Sequence, residues 1–539
     1  MPQNKATIQA QFAVDDGARE GVLERARTCA ALTKPWVLPP SGQAANQKLP
    51  ENFQSVGSRG VSNMEGRMLL ALWPPGTPWF NLLPQATLRY DDTVDPAIIE
   101  AINRRLFLQE LVILARLEAS NLKLTAGRQS PGTFRSRKRA TLSQIFVTGD
   151  SLEQMMDDYS IRLFGRAQYV TKRNSASEVL YHITHEKLDP LGLTDEERLA
   201  AEFNNAELAE KTVTERQADM FTRCEWQPIS KLWLIEQEVN EKVIRRSEEP
   251  VTPFFSTAYE LAPGEDYGRG FVELNLGDLR TLDELEQRML DFAAIASDVK
   301  EVLDNNSTTR VSDLEGESGS IIRAKVTGGV VQDVAYLKSD RLSDFNVVHL
   351  TATRKRDDLG KAMLMEAETQ PTGDRVTAYQ VQRIAMELEG ALGGIYSSIA
   401  DEQQTPLLRR TIWQMRNDNL LPLWEDDDVE VHMVTGIAAL SRELDLAKLR
   451  MAIQDVATLG PEALQKINLD VLVDLVFRMR AIEHAGLVKS REQVKQELQE
   501  LMRQQAEAAA VQKGIDVVGN VAQAQATPAA TGEAAPTGA

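Results

Sequence analysis

Cysteine and long apolar runs are both scarce in this 539-residue chain. Its two cysteines, Cys29 and Cys224, are too few for a disulfide scaffold or a four-cysteine zinc site. The longest uninterrupted apolar run, residues 68–75, is far shorter than the roughly 20 residues that a membrane-spanning helix needs. Residues 1–5 lack the apolar core of a secretory signal. We therefore expect a soluble protein of a reducing compartment, with no membrane partner.

Positive charge is also in deficit, since 60 Lys and Arg face 79 Asp and Glu, for a formal net charge of −19. A protein that grips nucleic acid over its whole surface needs clustered Lys and Arg, so this class is disfavoured. An acidic wall that repels phosphates stays compatible with a duplex that moves past without adhering. The composition, 42% hydrophobic and 26% charged, is that of a globular chain long enough for several domains.

Signatures of catalysis and of nucleotide binding are missing from the sequence as well. No Gly-x-x-x-x-Gly-Lys-Ser/Thr loop occurs, which argues against a motor ATPase. The five histidines form no triad pattern, and neither cysteine has a histidine in its own motif. We therefore predict that the protein is not an enzyme and needs no cofactor or metal. An enzyme alternative rests on two weak metal candidates, His182 with His185 and the acidic turn at 425–428.

The N-terminal half mixes helical and strand-like patterns. Apolar periodicity predicts three helices, at 15–31, 55–73 and 100–126. From residue 134 to 261 the sequence changes to short runs rich in Val, Ile, Tyr, Phe and Trp. These runs indicate a small, mostly antiparallel sheet with helical inserts such as 193–211.

The C-terminal half begins with a strong helical pattern. Thr281 and Glu284 form a capping-box pattern, and the apolar residues behind them alternate steps of three and four. This pattern predicts a helix over 281–304. Strand-like residues 305–338 follow, and a second helix is predicted over 339–364.

Further helices are predicted beyond a loop. Thr377 and Gln380 form a second capping-box pattern, and the helix it opens is interrupted at Gly393, Gly394 and Pro406. Two more helical segments are predicted over 436–484 and 490–511, and the residues after 521 have a disordered composition. The expected fold class is therefore α+β, mainly helical.

Two basic clusters interrupt the acidic background, one at 135–139 and one at Arg354, Lys355 and Arg356. Each can meet phosphates, while solvated charge or ion pairing between subunits is an alternative of at least equal weight. Arg375 differs in setting, because it lies between a glycine-containing loop and a helix cap, where a side chain can project into open space.

Three blocks of sequence occur in order along the chain. They are 55–64 (SVGSRGVSNM) running into 68–74, 267–270 (YGRG) followed by 276–282, and 372–378 (TGDRVTA) running into 387–396. Together they resemble the portal proteins, or head-to-tail connectors, of short-tailed bacteriophages (podoviruses). The match is collinear from about residue 28 to about residue 450.

This resemblance implies a portal fold that assembles into a ring, in that family a dodecamer, around a central channel. The implied parts are an N-terminal wing at 1–280, stem helices at 281–304 and 339–365, a clip at 305–338, a tunnel loop at 366–376, a long kinked wing helix with a return strand at 377–435, a helical crown at 436–515 and a disordered tail at 516–539.

The resemblance also implies roles for particular residues. The residues implied to face DNA in the channel belong to the tunnel loop and are Thr372, Gly373, Asp374 and Arg375. The residues implied to contact DNA or a neighbouring subunit are Arg354, Lys355 and Arg356. The residues implied to face terminase or adaptor belong to the clip and are Arg310, Arg323 and Lys325. A ring of Arg375 side chains would hold or gate the duplex through few phosphate contacts.

The implied function is structural, a channel at one capsid vertex through which double-stranded DNA is packaged and ejected. The implied partners are further copies of the chain, double-stranded DNA, the terminase large subunit, tail adaptor and nozzle proteins, major capsid and scaffolding proteins, and internal core proteins. The implied location is the portal vertex of the virion, and the host cytoplasm during assembly. A helical protein-binding scaffold of the virion without a DNA channel stays open as the alternative.

Overall fold

A computed structural model describes most of the first 433 residues. The described residues are 7–43, 47–75, 78–85, 96–120, 133–297, 300–303, 321, 324–328, 330–331, 334–337, 342–365, 390, 394–422, 429–433, 451 and 454. The chain divides into two compact units, Met1–Ile453 and Gln454–Ala539, and every element below belongs to the first.

Helices contain more of the described residues than strands do. In chain order they are α1 (Ile8–Ala18), α2 (Glu20–Ala31), α3 (Val56–Leu72), α4 (Pro96–Ser120), α5 (Phe134–Thr148), α6 (Asp195–Ala200), α7 (Asn205–Glu210), α8 (Phe271–Leu274), α9 (Leu276–Ser297), α10 (Leu342–Ala362) and α11 (Ile395–Asn417). The helices predicted over 55–73 and 100–126 correspond to α3 and α4.

The strands form antiparallel sheets. In chain order they are β1 (Phe80–Pro84), β2 (Asp150–Met155), β3 (Ile161–Phe164), β4 (Tyr169–Arg173), β5 (Val179–Leu188), β6 (Ala218–Gln227), β7 (Leu232–Val239), β8 (Lys242–Glu249), β9 (Phe254–Ala258), β10 (Lys300–Leu303), β11 (Val326–Thr327), β12 (Val330–Val331), β13 (Val334–Leu337) and β14 (Val429–Met433). A five-stranded sheet has the order β4-β5-β6-β7-β8, and a three-stranded sheet has the order β3-β2-β9. The remaining pairs are β1-β14, β10-β13 and β11-β12. The antiparallel sheet predicted within 134–261 is confirmed.

Helix α5 lies where the sequence predicts the start of the strand-like region, so that prediction is wrong for residues 134–148. The Thr133 hydroxyl accepts the Ser136 N–H at 3.3 Å and caps the helix start. The helix ends at Gly149, whose φ of 86° is left-handed. Residues 142–148, the second half of the helix, are all buried, and a segment buried on every side lacks the amphipathic period that identifies helices in sequence.

A buried ion pair stands at the centre of the main core. Lys138 Nζ on α5 lies 2.5 Å from Glu153 Oε2 on β2, and both side chains are fully buried. The same ammonium donates to Gln403 on α11 at 3.1 Å, and the Thr141 hydroxyl donates to the second carboxylate oxygen. Burial lowers the pKa of Lys138, and the Glu153 carboxylate opposes that shift. Lys138, a member of the basic cluster at 135–139, therefore connects α5, β2 and α11 in the core.

The boundaries of α9 differ from the sequence prediction. The helix begins at Leu276 and not at Thr281, whose hydroxyl donates to the Gly277 carbonyl at 2.8 Å from inside the helix. A threonine inside a helix makes this bond readily, so a four-residue capping pattern does not by itself fix a helix start. The helix ends at Ser297, and residues 300–303 form β10, paired with β13.

The start of α11 coincides with the interruption predicted at Gly394. Gly394 has a φ of 90° and precedes the first turn of α11, where a glycine is the residue that adopts this conformation without strain. Pro406, predicted as a second interruption, lies inside α11 without ending it. The predictions for 377–389, for the crown and for the tail lie outside the described residues, apart from isolated helical positions at 390, 451 and 454.

Replacing Lys138 by Ala is expected to destabilise the folded chain by about 3–5 kcal/mol, because Glu153 stays buried without its counter-ion. Arg139→Ala is the matched control on the same helix, since the Arg139 side chain is 55% exposed and 3.4 Å from Glu65. Its cost is expected to stay below about 1 kcal/mol. Denaturant unfolding of both variants gives the two free energies, and equal small losses would contradict the central role of Lys138.

Candidate functional site

Helices α9 and α10 form an antiparallel hairpin that extends into the β10-β13 ribbon. Phe292 stacks on Phe345 with ring centroids 4.9 Å apart, and Lys355 near the other end of α10 contacts Asp278 near the start of α9. The first half of the apolar stripe predicted on α9 packs within this chain, since Leu282 is fully buried and the half-buried Leu285 and Met289 lie against the main core. This half of the stripe is therefore used inside the subunit.

Among the described side chains of the hairpin, four large apolar ones are nevertheless exposed. Leu290 and Ile295 on α9 are 57% and 66% exposed, and Val347 and Leu350 on α10 are 64% and 65% exposed. Single exposed apolar residues are normal on a protein surface, whereas a contiguous exposed apolar surface marks a contact site. Val347 and Leu350 lie three residues apart and share one face of α10, and we call them the α10 patch. Leu290 and Ile295 lie five residues apart, about 140° around the axis of α9, and we call these two exposed positions together the α9 patch.

The basic cluster on α10 is divided between two environments. Lys355 Nζ lies 2.7 Å from Asp278 Oδ1, and this hydrogen-bonded pairing raises the pKa of Lys355. Arg356 pairs with Glu286 of α9. Both ion pairs join the two helices of one hairpin, whereas Arg354 is exposed. Of the three, Arg354 has the setting best suited to a contact outside the chain.

The first resemblance block, 55–64, holds the C-terminal end of α10. A Cβ on Gly60 would lie 1.8 Å from Met363 Sδ and 2.9 Å from Met363 Cβ, so α3 and the end of α10 meet without room for any side chain at this position. The Asn63 amide donates to the carbonyls of Met363 and Leu364, at 2.9 and 3.0 Å. These bonds satisfy carbonyls that a helix end leaves without partners.

The second resemblance block, 267–270, fixes the backbone just before α8 and α9. A Cβ on Gly268 would lie 2.8 Å from the Gly149 carbonyl oxygen, and one on Gly270 would lie 2.7 Å from that of Phe146. Asp150 Oδ1 accepts the Gly268 N–H at 2.9 Å. Burial raises the pKa of Asp150 to about 6, against the opposing charge of a nearby arginine.

Sequence reasoning missed the roles of these residues. Gly60 and Gly268 stood in the quoted blocks, yet a close approach between distant segments leaves no mark in sequence beyond the glycine itself. Asn63 and Asp150 carried no separate signal. Asp283 is another such residue, because its Oδ1 accepts the N–H groups of Phe53 and Gln54, at 2.8 and 3.1 Å, and joins α9 to the start of α3.

The two histidines considered for a metal site lie on opposite faces of β5. The His182 ring is buried beside Phe254 and hydrogen-bonds Thr171 Oγ1 at 3.0 Å, and burial lowers its pKa to about 3. The His185 ring stacks on Phe221 and contacts Asp219 at 2.9 Å. Within the described ranges, no group of three metal-ligating side chains comes together. The acidic turn at 425–428 lies outside them.

Several predicted site residues also lie outside the described part of the chain. They are Thr372, Gly373, Asp374 and Arg375 of the tunnel loop, and Arg310 and Arg323 of the clip. Lys325, the third clip residue, is exposed just before β11. None of the described helices is both long enough and apolar enough to cross a bilayer.

Comparison with known proteins adds an independent line of evidence. Residues 136–487 match the family model described as bacteriophage head to tail connecting protein. The portal protein of Escherichia phage T7 is 27% identical over 525 residues, which is 95% of this chain and 93% of that protein. The portal protein of Enterobacteria phage T3 is 27% identical over 479 residues, covering 87% and 85%.

A solved structure, the virion of a native gene transfer agent particle, covers 69% of this chain and 87% of its own. Its 9% identity and TM-score of 0.29 are too low to carry an argument.

The class that these observations define is a structural connector of a phage particle. Because the family model spans more than half of the sequence, the chain belongs to the bacteriophage head to tail connecting protein family. The resemblance to portal proteins of short-tailed phages is confirmed by relatives that match along most of the chain. A role as a phage portal follows from that membership.

Gly60→Ala is expected to destabilise the chain by about 1–3 kcal/mol, because the new methyl group overlaps Met363 and forces the two helices apart. Gly66→Ala in the same helix is the matched control, since a Cβ there meets nothing within 4 Å. That control is expected to stabilise by about 0.5–1 kcal/mol through helix propensity. Thermal unfolding compares the two, and a stabilised Gly60→Ala would show that α3 and α10 are not in close contact.

Proposed function

We propose that copies of this chain form a closed ring through their α9–α10 hairpins, and that the ring encloses the DNA channel of a phage portal vertex. The observation that carries this proposal is the set of exposed apolar side chains on both helices of a hairpin whose apolar stripe already packs, from Leu282 to Met289, against the subunit's own core. A surface of this kind is stable in water when another chain covers it.

The two patches favour a head-to-tail contact. The α9 patch and the α10 patch lie on different helices, so pairing the α9 patch of one copy with the α10 patch of the next leaves one patch free at each end. A contact between two different surfaces continues from copy to copy until the rotation closes a ring. Exposed Glu284 and Asp291 on α9 and exposed Arg354 on α10 supply charges of opposite sign for the same contact.

The charge of the chain suits a channel for DNA. A net charge of −19 leaves few cations to hold phosphates, and two of the three residues of the basic cluster at 354–356 are paired within the hairpin. The duplex can then move without many contacts to break. One ring of Arg375 side chains would supply a small number of phosphate contacts at the narrowest point.

The relatives extend the proposal to partners and location. Both are named portal proteins, and we carry over from that family a dodecameric ring at one vertex of the capsid. Its partners would be double-stranded DNA, the terminase large subunit, tail adaptor and nozzle proteins, major capsid and scaffolding proteins, and internal core proteins. The ring would assemble in the host cytoplasm and remain in the virion.

Leu350→Glu tests the ring contact. A carboxylate in the α10 patch is expected to convert rings to monomers, because an unpaired charge would be buried at every contact. Ala362→Glu is the matched control, since it adds the same charge at an exposed position near the end of α10. Analytical ultracentrifugation gives the particle mass and circular dichroism verifies the fold. Rings that persist in Leu350→Glu would exclude the α10 patch from the contact.

Arg375→Ala tests the channel. Rings are expected to form normally, while packaged DNA is retained less well because a ring of phosphate contacts is lost. Arg375→Lys keeps the charge and is expected to retain DNA. Nuclease-protected DNA in filled particles measures retention. If Arg375→Ala prevented ring formation, Arg375 would be a contact between subunits and its channel role would be wrong.

A further inference from the structure

Helix α4 carries a second apolar stripe, on the side away from the core. Its buried side packs on β1 and α5 and carries the apolar residues Leu106, Phe107, Ile113, Leu114 and Leu117. The exposed side presents, at alternating steps of four and three, Ala101, Arg105, Leu108, Val112, Ala115 and Ala119. Leu108 is 41% exposed and Val112 is 48% exposed.

This spacing identifies the kind of partner. A helix on a protein surface normally turns a polar side to water, whereas a narrow stripe at steps of three and four is the seam of a two-stranded coiled coil. The stripe is narrow because the positions beside it include Arg104 and Glu118. The small side chains of Ala115 and Ala119 allow close approach of a second helix. The surface therefore fits an α-helix lying along α4.

We propose that this partner is the same helix of a second copy of the chain, paired with α4 in the antiparallel direction. In that arrangement Leu108 packs against the partner's Val112, and Val112 against the partner's Leu108. Arg105 faces the partner's Ala115, where the small side chain leaves room for the arginine stem to extend towards water. Ala119 faces the partner's Ala101 at each end of the seam.

The charges beside the seam support the same direction. Arg104 and Glu118 occupy equivalent positions two heptads apart on one flank of the stripe, with half-buried Leu111 between them, and Glu118 also interacts electrostatically with Arg135 of its own chain. Antiparallel pairing brings Arg104 next to the partner's Glu118, and Glu118 next to the partner's Arg104. Parallel pairing would instead place Arg105 directly opposite the partner's Arg105, which is unfavourable. Flanking charges of this kind set the orientation of helix pairs.

This contact is separate from the one that closes a ring. It is two-fold symmetric and uses one surface twice, whereas the hairpin contact joins two different surfaces. It therefore links two copies that belong to different rings, or two copies before a ring closes. Its failure would leave the hairpin contact untouched, and the reverse also holds.

Paired cysteine variants test the proposal in the full-length chain. Leu108→Cys and Val112→Cys are each oxidised alone and as an equal mixture, with buried Cys29 and Cys224 as the common background. We expect a cross-linked dimer in the mixture and little in either variant alone, because position 108 meets position 112 across the two-fold axis. Cross-linking of each variant with itself would indicate parallel pairing. No cross-link in any sample would overturn the proposal.

Charge exchange gives a second readout that a loss of folding does not imitate. Arg104→Glu is expected to weaken the pairing of two copies that both carry it by about tenfold relative to the unchanged chain, since like charges then face each other at both ends of the seam. Combining Arg104→Glu with Glu118→Arg is expected to restore it. Sedimentation equilibrium measures the dissociation constants. A double variant as weak as the single one would contradict the predicted ion pairs.

Discussion

The close contact between α3 and the C-terminal end of α10 is the constraint on which the hairpin depends. Because Gly60 has no side chain, Met363 fills the space against α3, and Asn63 bonds the last carbonyls of α10 from the same helix. The start of α9 is fixed in turn by Asp283, which binds the backbone ahead of α3. Helices α9 and α10 are thus both fixed to the segment around α3. In the proposed ring, these contacts would set the angle between the hairpin and the rest of the subunit.

Charge is distributed to suit this arrangement. The ammonium of Lys138 is paired with the buried carboxylate of Glu153, and ion pairs of Lys355 and Arg356 join α10 to α9. Basic residues that look available for phosphates in the sequence thus stabilise the subunit. In the proposed ring, exposed Arg354 would then be the member of this cluster positioned for a contact with a neighbouring subunit, and the acidic chain would bind passing DNA weakly.

Sequence patterns predicted the elements that have one apolar face. Helix α3 was predicted almost to the residue because its buried positions follow the helical period, and the antiparallel strands were recognised by their β-branched and aromatic runs. Helix α5 was missed because it is buried on most sides. The predicted start of α9 at Thr281 was wrong, because the Thr281 hydroxyl donates to the Gly277 carbonyl from inside the helix. In each case the local pattern was ambiguous until tertiary packing resolved it.

The functional surfaces were beyond sequence reasoning for a different reason. The stripe on α9 was predicted, but only packing shows that its first half, from Leu282 to Met289, lies against the subunit's own core, and that Leu290 and Leu350 are exposed. The seam on α4 was hidden because apolar residues occur on both sides of that helix. The glycines of the resemblance blocks were visible, whereas their partners Met363 and Gly149 are distant in sequence.

The most direct measurement is negative-stain electron microscopy of the purified full-length chain. We predict closed rings with a central hole, since the hairpin patches join copies head to tail. Particles that remain monomers or dimers at high concentration would contradict the ring, and the scaffold without a DNA channel would then be the better account.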